Sequence, residues 1–148
     1  VHTLGYLNNL AATLMFSGSY EEAQPVYLDI VERTARSLGD DHPQLIPGLL
    51  GLARVERELL RPADAATRLE RALSISLERG ERPERIGTVQ FQLAQALWDS
   101  GQDQARALDL ARASAQSFFT AREDGWDIGE RIDEVRAWLD ERAPSAPR

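Results

Sequence analysis

The sequence predicts an all-α solenoid of three helix pairs, stacked in order and closed by a seventh helix. Three observations predict it. The first is an internal repeat. Leu10-Ala11 returns 42 residues later as Leu52-Ala53, Ala23 as Ala65, Tyr27 as Leu69 and Ile30-Val31 as Ala72-Leu73. A third copy follows 41 residues on, with Leu93-Ala94, Leu97 and Gly101. A unit of this length is a helix pair that cannot bury its apolar face alone, so neighbours must stack. The second is a helical rhythm of apolar residues with no strand signal anywhere. The third is the punctuation: Gly39-Asp40-Asp41-His42-Pro43 and Gly80 to Pro83 each stop one helix and start another.

The elements follow in order. Helix one covers about 3–16, with Leu4, Leu7, Leu10, Ala11 and Leu14 at i, i+3, i+4, i+7 spacing. Gly18 ends it, because a left-handed residue is cheap for glycine. Helix two begins at Ser19 or Tyr20, with Glu21 and Glu22 favourably placed in its first turn, and runs to about Leu38. Pro25 removes one ladder bond and predicts a slight bend. Gly39 caps it. Asp40 or Asp41 is then expected to N-cap helix three, with Pro43 at its first position. Helix three covers about 43–59, with Pro47 weakening its early turns. Helix four covers about 62–79, helix five 84–100 and helix six 103–122. After Asp124-Gly125, a capping helix covers about 127–141, with Trp126, Ile132 and Trp138 as its apolar face. The repeats thus occupy about 3–38, 43–79 and 84–122 of a single domain, 1–141. The Pro-rich tail, 142–148, is too polar to pack.

The small residues carry the packing. Ala11, Ala53 and Ala94 stand where the first helix of each pair crosses the second, and Ala23, Ala65 and Ala107 stand opposite. Close approach requires small side chains there. Leu10, Leu14, Tyr20, Tyr27, Leu52, Leu69, Leu93 and Leu97 fill the space between.

Composition narrows the function. Of 148 residues, 43% are hydrophobic and 28% charged, enough for one domain with a real core. No apolar run approaches about 18 residues, so no membrane span is expected. The net charge is −7 and all 17 basic residues are arginine. An acidic chain gains no counterion-release energy on nucleic acid, so a nucleic-acid partner is not expected. There is no cysteine, which excludes disulfides and thiolate chemistry and leaves the cytoplasm as the default compartment. His2 and His42 lack metal-ligand spacing, and His42 fits the capping turn better. No nucleophile elbow, phosphate loop or kinase motif is present. The expectation is therefore a chain without catalysis, cofactor or metal. Val1-His2-Thr3 carries no initiating Met and no signal pattern, and a repeat is already under way by Leu7. The chain thus reads as a piece of a longer protein.

The small-residue and aromatic signature resembles the tetratricopeptide repeat. Leu7-Asn8-Asn9-Leu10-Ala11, followed by Gly18, Tyr20, Ala23, Pro25 and Tyr27, resembles the kinesin-light-chain subtype. So do the long unit and Leu38-Gly39-Asp40-Asp41-His42-Pro43. The resemblance covers about 3–117. Repeat two departs most, with Leu60 in place of the turn Gly and Pro62 in place of the Tyr. Residues 96–111, with 132–139, are similar to the ends of repeat arrays found behind bacterial serine/threonine protein kinases. The resemblance implies a right-handed α-α superhelix that binds protein or an extended peptide segment. It also implies the C-terminal interaction region of a larger bacterial signalling protein. Two alternatives stay open: a regulatory segment acting intramolecularly on its own upstream kinase domain, and the sensor array of a signalling NTPase.

In such stacks the first helices line the concave face. That places Asn8, Asn9, Ala12 and Met15 in the groove from repeat one, Leu50, Arg54 and Arg57 from repeat two, and Phe91, Gln95 and Trp98 from repeat three. The resemblance implies that Asn8, and Asn9 beside it, hydrogen-bond a peptide backbone. The plain alternative is bonding to neighbouring helix termini. Arg54 and Arg57 either meet a ligand carboxylate or pair with Glu56 and Glu58 on the surface. Trp98 is either a groove anchor or packed on the seventh helix.

Overall fold

The computed structural model describes residues 3–144. Among them are seven α-helices and no strand: α1 Leu4–Phe16, α2 Tyr20–Leu38, α3 Leu45–Glu58, α4 Pro62–Glu78, α5 Pro83–Ser100, α6 Gln104–Glu123 and α7 Gly129–Arg142. Each helix packs chiefly on the next in sequence. The architecture is therefore a stack of three antiparallel pairs closed by α7, as the repeat predicts.

All six predicted crossing alanines, Ala11, Ala23, Ala53, Ala65, Ala94 and Ala107, are fully buried. Glycines bring the pairs closer still. A Cβ added at Gly51 of α3 would lie 2.3 Å from the ring of Tyr27 on α2, and one at Gly87 of α5 would lie 2.8 Å from the ring of Phe118 on α6. In each place the aromatic ring occupies the volume that a side chain would take. Of the larger residues expected in the core, Tyr27, Leu52, Leu69, Leu93 and Leu97 are buried, while Leu10, Leu14 and Tyr20 are half-buried.

Two apolar cores result. A small one joins Leu7, Ala11, Ala23, Tyr27 and Ile30 of the first pair to Leu52 and Val55 of α3. A larger one runs from Val31 and Leu45 to Val135 and Trp138. The capping helix closes it with Ile132, Val135 and Trp138. Trp126 is not part of that lid. It precedes α7, is 42% exposed, and carries the Arg82 guanidinium 4.9 Å from its ring centroid. Arg142, expected in an unpacked tail, instead ends α7. It donates to the Trp138 carbonyl at 3.2 Å and lies 4.6 Å from the Trp138 ring centroid. His2 and residues 145–148 lie outside the described residues.

The helix ends show how local chemistry competes. Thr3 and Asp103 cap α1 and α6 through their side chains, and Pro62 and Pro83 open α4 and α5. Pro25 lies inside α2, which continues through it to Leu38. Helix three starts at Leu45, not Pro43. Asp40 and Asp41 do not cap it, because the N-cap position falls on Gln44; instead Arg71 donates to the Asp40 carbonyl at 3.1 Å, and Arg79 pairs with the Asp41 carboxylate at 3.0 Å. His42 takes over the turn, its Nδ1 accepting from the Gln44 amide at 3.1 Å.

The turn in repeat two keeps its shape without glycine. In repeat one the Gly18 amide donates to Met15 and the Ser19 amide to Leu14. In repeat two the Leu60 amide donates to Arg57 and the Arg61 amide to Glu56, which is the same pair of bonds. Leu60 therefore sits at φ 60, the one non-glycine with positive φ among the described residues. Its side chain is 87% exposed.

Two stability measurements by urea unfolding test this packing. Ala53→Leu should lose about 1–3 kcal/mol through overpacking; undiminished stability would mean the helices do not cross at Ala53. A left-handed conformation costs an L-residue about 1–2 kcal/mol, part of which is offset by the greater unfolded-state freedom of glycine. Leu60→Gly should therefore gain about 0.5–1 kcal/mol, and a loss would show that Leu60 is unstrained.

Candidate functional site

A concavity of about 500 Å³ lies where α3, α5 and α7 come together. These are the first helices of pairs two and three and the capping helix, so the cavity lies on the side predicted for the groove. Helix α3 contributes Arg54 and Arg57, α5 contributes Phe91, Gln92 and Gln95, and α7 contributes Arg131 and Glu134. The turn residue Leu60 stands at its edge.

The three arginines differ in state. Arg57 reaches across to α5, donating to Gln95 Oε1 and to Asp99 Oδ2, both at 3.1 Å. It ties two repeats together and does not pair with Glu56 or Glu58. Arg131 donates to Thr88 Oγ1 at 2.7 Å, with its guanidinium 5.9 Å from the Phe118 ring centroid. Arg54 is exposed and forms no hydrogen bond or salt bridge among the described residues. Its charge is felt at the Tyr27 phenol: burial raises that group's pKa, and Arg54 opposes the rise. The Tyr27 hydroxyl itself donates to the Met15 sulfur at 3.8 Å.

Of the ten residues assigned to the groove from sequence, the cavity brings together Arg54, Arg57, Phe91 and Gln95. Asn8, Asn9, Ala12, Met15, Leu50 and Trp98 do not line it. Asn8 is exposed and its amide donates to the Leu4 carbonyl of its own helix at 2.9 Å. Asn9 is exposed beside it. Met15 and Leu50 are half-buried against the two cores. Phe91 and Trp98 both meet the edge of Trp138, with centroids 5.9 and 5.8 Å away, so Trp98 packs on the seventh helix. Sequence reasoning missed Gln92, Leu60, Arg131 and Glu134. Gln92 could have been found, since it shares a repeat position with Asn9. The α7 residues could not, because nothing in a capping helix's own sequence shows which face turns toward a groove.

One charged group contradicts its sequence assignment. Glu56 was read as a surface partner for arginine, yet it is fully buried between pairs. Its repeat equivalents are Leu14 and Leu97, so the register itself marks a core position. Arg68 Nε donates to its Oε1 at 3.3 Å. Burial raises the Glu56 carboxyl above its ordinary range, and Arg68 and the Gln24 amide only partly oppose it. Among the described residues no group of three or more His, Asp or Glu side chains could hold a metal ion, and no helix is long and apolar enough to cross a membrane.

A family model, tetratricopeptide repeat, matches residues 3–78, just over half of the 148-residue chain. Among solved structures the chain is similar to a kinesin light chain from Podosopora anserina with nearly identical TPR-like repeats. The identity is 21% and the TM-score 0.65, covering 96% of this chain and 77% of that one. A variant of the same protein matches with the same values. No curated protein matches.

Glu56 gives a pH test. A carboxyl whose folded pKa lies above its unfolded value holds its proton more tightly when folded, so its stability contribution declines as pH rises between the two values. Glu56→Gln is neutral throughout and lacks that decline. The difference in melting temperature, wild type minus Glu56→Gln, should therefore fall as pH rises above the ordinary glutamate value of about 4.3. A difference that grows with pH would mean that the Arg68 attraction outweighs burial.

Proposed function

Because the chain belongs to the tetratricopeptide repeat family, we propose that it is a protein-binding scaffold that holds an extended segment in the cavity between α3, α5 and α7. The observation that carries this reading is Arg54. An exposed arginine without an internal partner, on the wall of a cavity with amides beside it, is a free charge-assisted donor. Gln92 and Gln95 offer amide groups that both donate and accept, which suits a peptide main chain. Phe91 and Phe118 lie buried behind the wall and back the cavity with rigid apolar packing. The bound segment carries a carboxylate facing Arg54.

The parent molecule in this reading is a larger bacterial signalling protein acting in the cytoplasm. The similarity of residues 96–111 and 132–139 to arrays behind serine/threonine kinases supports it. The cavity serves equally for a separate protein or for an upstream domain of the same polypeptide. Comparing binding in trans with binding in a longer chain distinguishes the two.

Arg54 is the residue to remove. Arg54→Ala should stay within about 0.5 kcal/mol of wild-type stability, as surface changes do. It should weaken capture of the partner by about 10-fold, or ~1.4 kcal/mol, in titrations on immobilised protein. Unchanged capture would place the binding surface elsewhere. Asn8→Ala alongside it measures reach: a comparable loss would extend the bound segment over the first pair.

A further inference from the structure

We propose that Leu60 is a partner-contacting residue, an apolar rim contact for a bound segment in which a leucine-like side chain lies next to the carboxylate that meets Arg54. The proposal rests on the groove reading above and adds to it the chemistry of the occupant.

Three observations converge on this residue. Its repeat equivalents, Gly18 and Gly101, are glycines with positive φ, and Leu60 alone takes that conformation with a side chain. The turn bonds are the same as those around Gly18, so glycine would serve the fold equally well without backbone cost. The side chain is also the most exposed of the large apolar residues described, so it contributes no burial in return. An exposed leucine by itself means little. A strained one differs, because non-glycine residues in the left-handed region concentrate at ligand clamps and switch regions. Leu60 stands at the edge of the same cavity as Arg54 and Gln92. Gln92, which lines the same cavity and forms no hydrogen bond among the described residues, is free to read a peptide main chain.

The occupant is therefore an extended peptide with alternating apolar and acidic side chains. Leu60 meets the apolar one, Arg54 the acidic one. Burial of Leu60 against the peptide supplies affinity that the unbound fold does not recover.

The test uses three short fluorescein-labelled peptides, alternating leucine with aspartate, leucine with lysine, or serine with aspartate, read by fluorescence anisotropy. Wild type should bind the leucine–aspartate peptide tightest. Leu60→Gly should weaken that binding about fivefold while raising the melting temperature. Leu60→Asn, which keeps the left-handed turn, should weaken it likewise. Leu77→Ala, an exposed leucine on α4 away from the cavity, should bind as wild type does. Equal binding by wild type and Leu60→Gly, with the aspartate preference intact, would overturn the role of Leu60 and leave the groove reading standing. Failure of wild type to distinguish the three peptides, with no effect of Arg54→Ala, would sink both.

Discussion

The distance between crossing helices governs this molecule. Six alanines without solvent exposure set it within and between pairs, and Gly51 and Gly87 reduce it where Tyr27 and Phe118 must enter. At those two sites the ring occupies the place of a Cβ, so each aromatic is both filler and spacer. Interiors pack at crystal-like density, and a single added methyl at such a point moves a whole helix. The pitch of the stack, and with it the spacing of α3, α5 and α7 around the cavity, follows from these contacts.

That spacing gives the three arginines of the cavity their separate tasks. Arg57 spans from α3 to α5, where Gln95 and Asp99 accept from its two terminal nitrogens, so it holds two repeats in register. Arg131 is held by Thr88 and lies near Phe118. Of the three, Arg54 alone forms no hydrogen bond or salt bridge among the described residues. The division arises from position alone: residues one helical turn apart on α3 face a neighbour in one case and open solvent in the other.

Much of the fold was legible in the sequence because it rests on periodicity and residue size. Leu52-Ala53 and Leu93-Ala94 announced the crossings, and the glycine and proline stops marked the pairs. What stayed hidden depended on longer-range competition. Asp40 and Asp41 have the chemistry of N-caps, yet Arg71 and Arg79 reach them from α4. Glu56 has the chemistry of a surface residue, yet its register is that of Leu14 and Leu97, and the register prevailed. For the candidate site, a projection from the first helices includes four residues that line the cavity, Arg54, Arg57, Phe91 and Gln95. The same projection leaves Trp98 between groove and core, because a helical wheel shows direction and not what the next helix covers. Trp138 covers Trp98, and no repeat arithmetic includes it.

The division of the interior into two apolar cores has a kinetic consequence. The first pair shares its small core only with one face of α3, whereas the larger core extends from Val31 through α7. Neighbour-only contact makes the stack a nearly one-dimensional chain of units, and such chains open from their weaker end. Amide hydrogens of α1, which adds nothing to the larger core, would exchange with solvent through partial openings, while those of α5 and α6 would wait for global unfolding. The cavity is lined by α3, α5 and α7, so a ligand would meet a surface already assembled, and fraying of α1 would set proteolytic lifetime without reaching that surface.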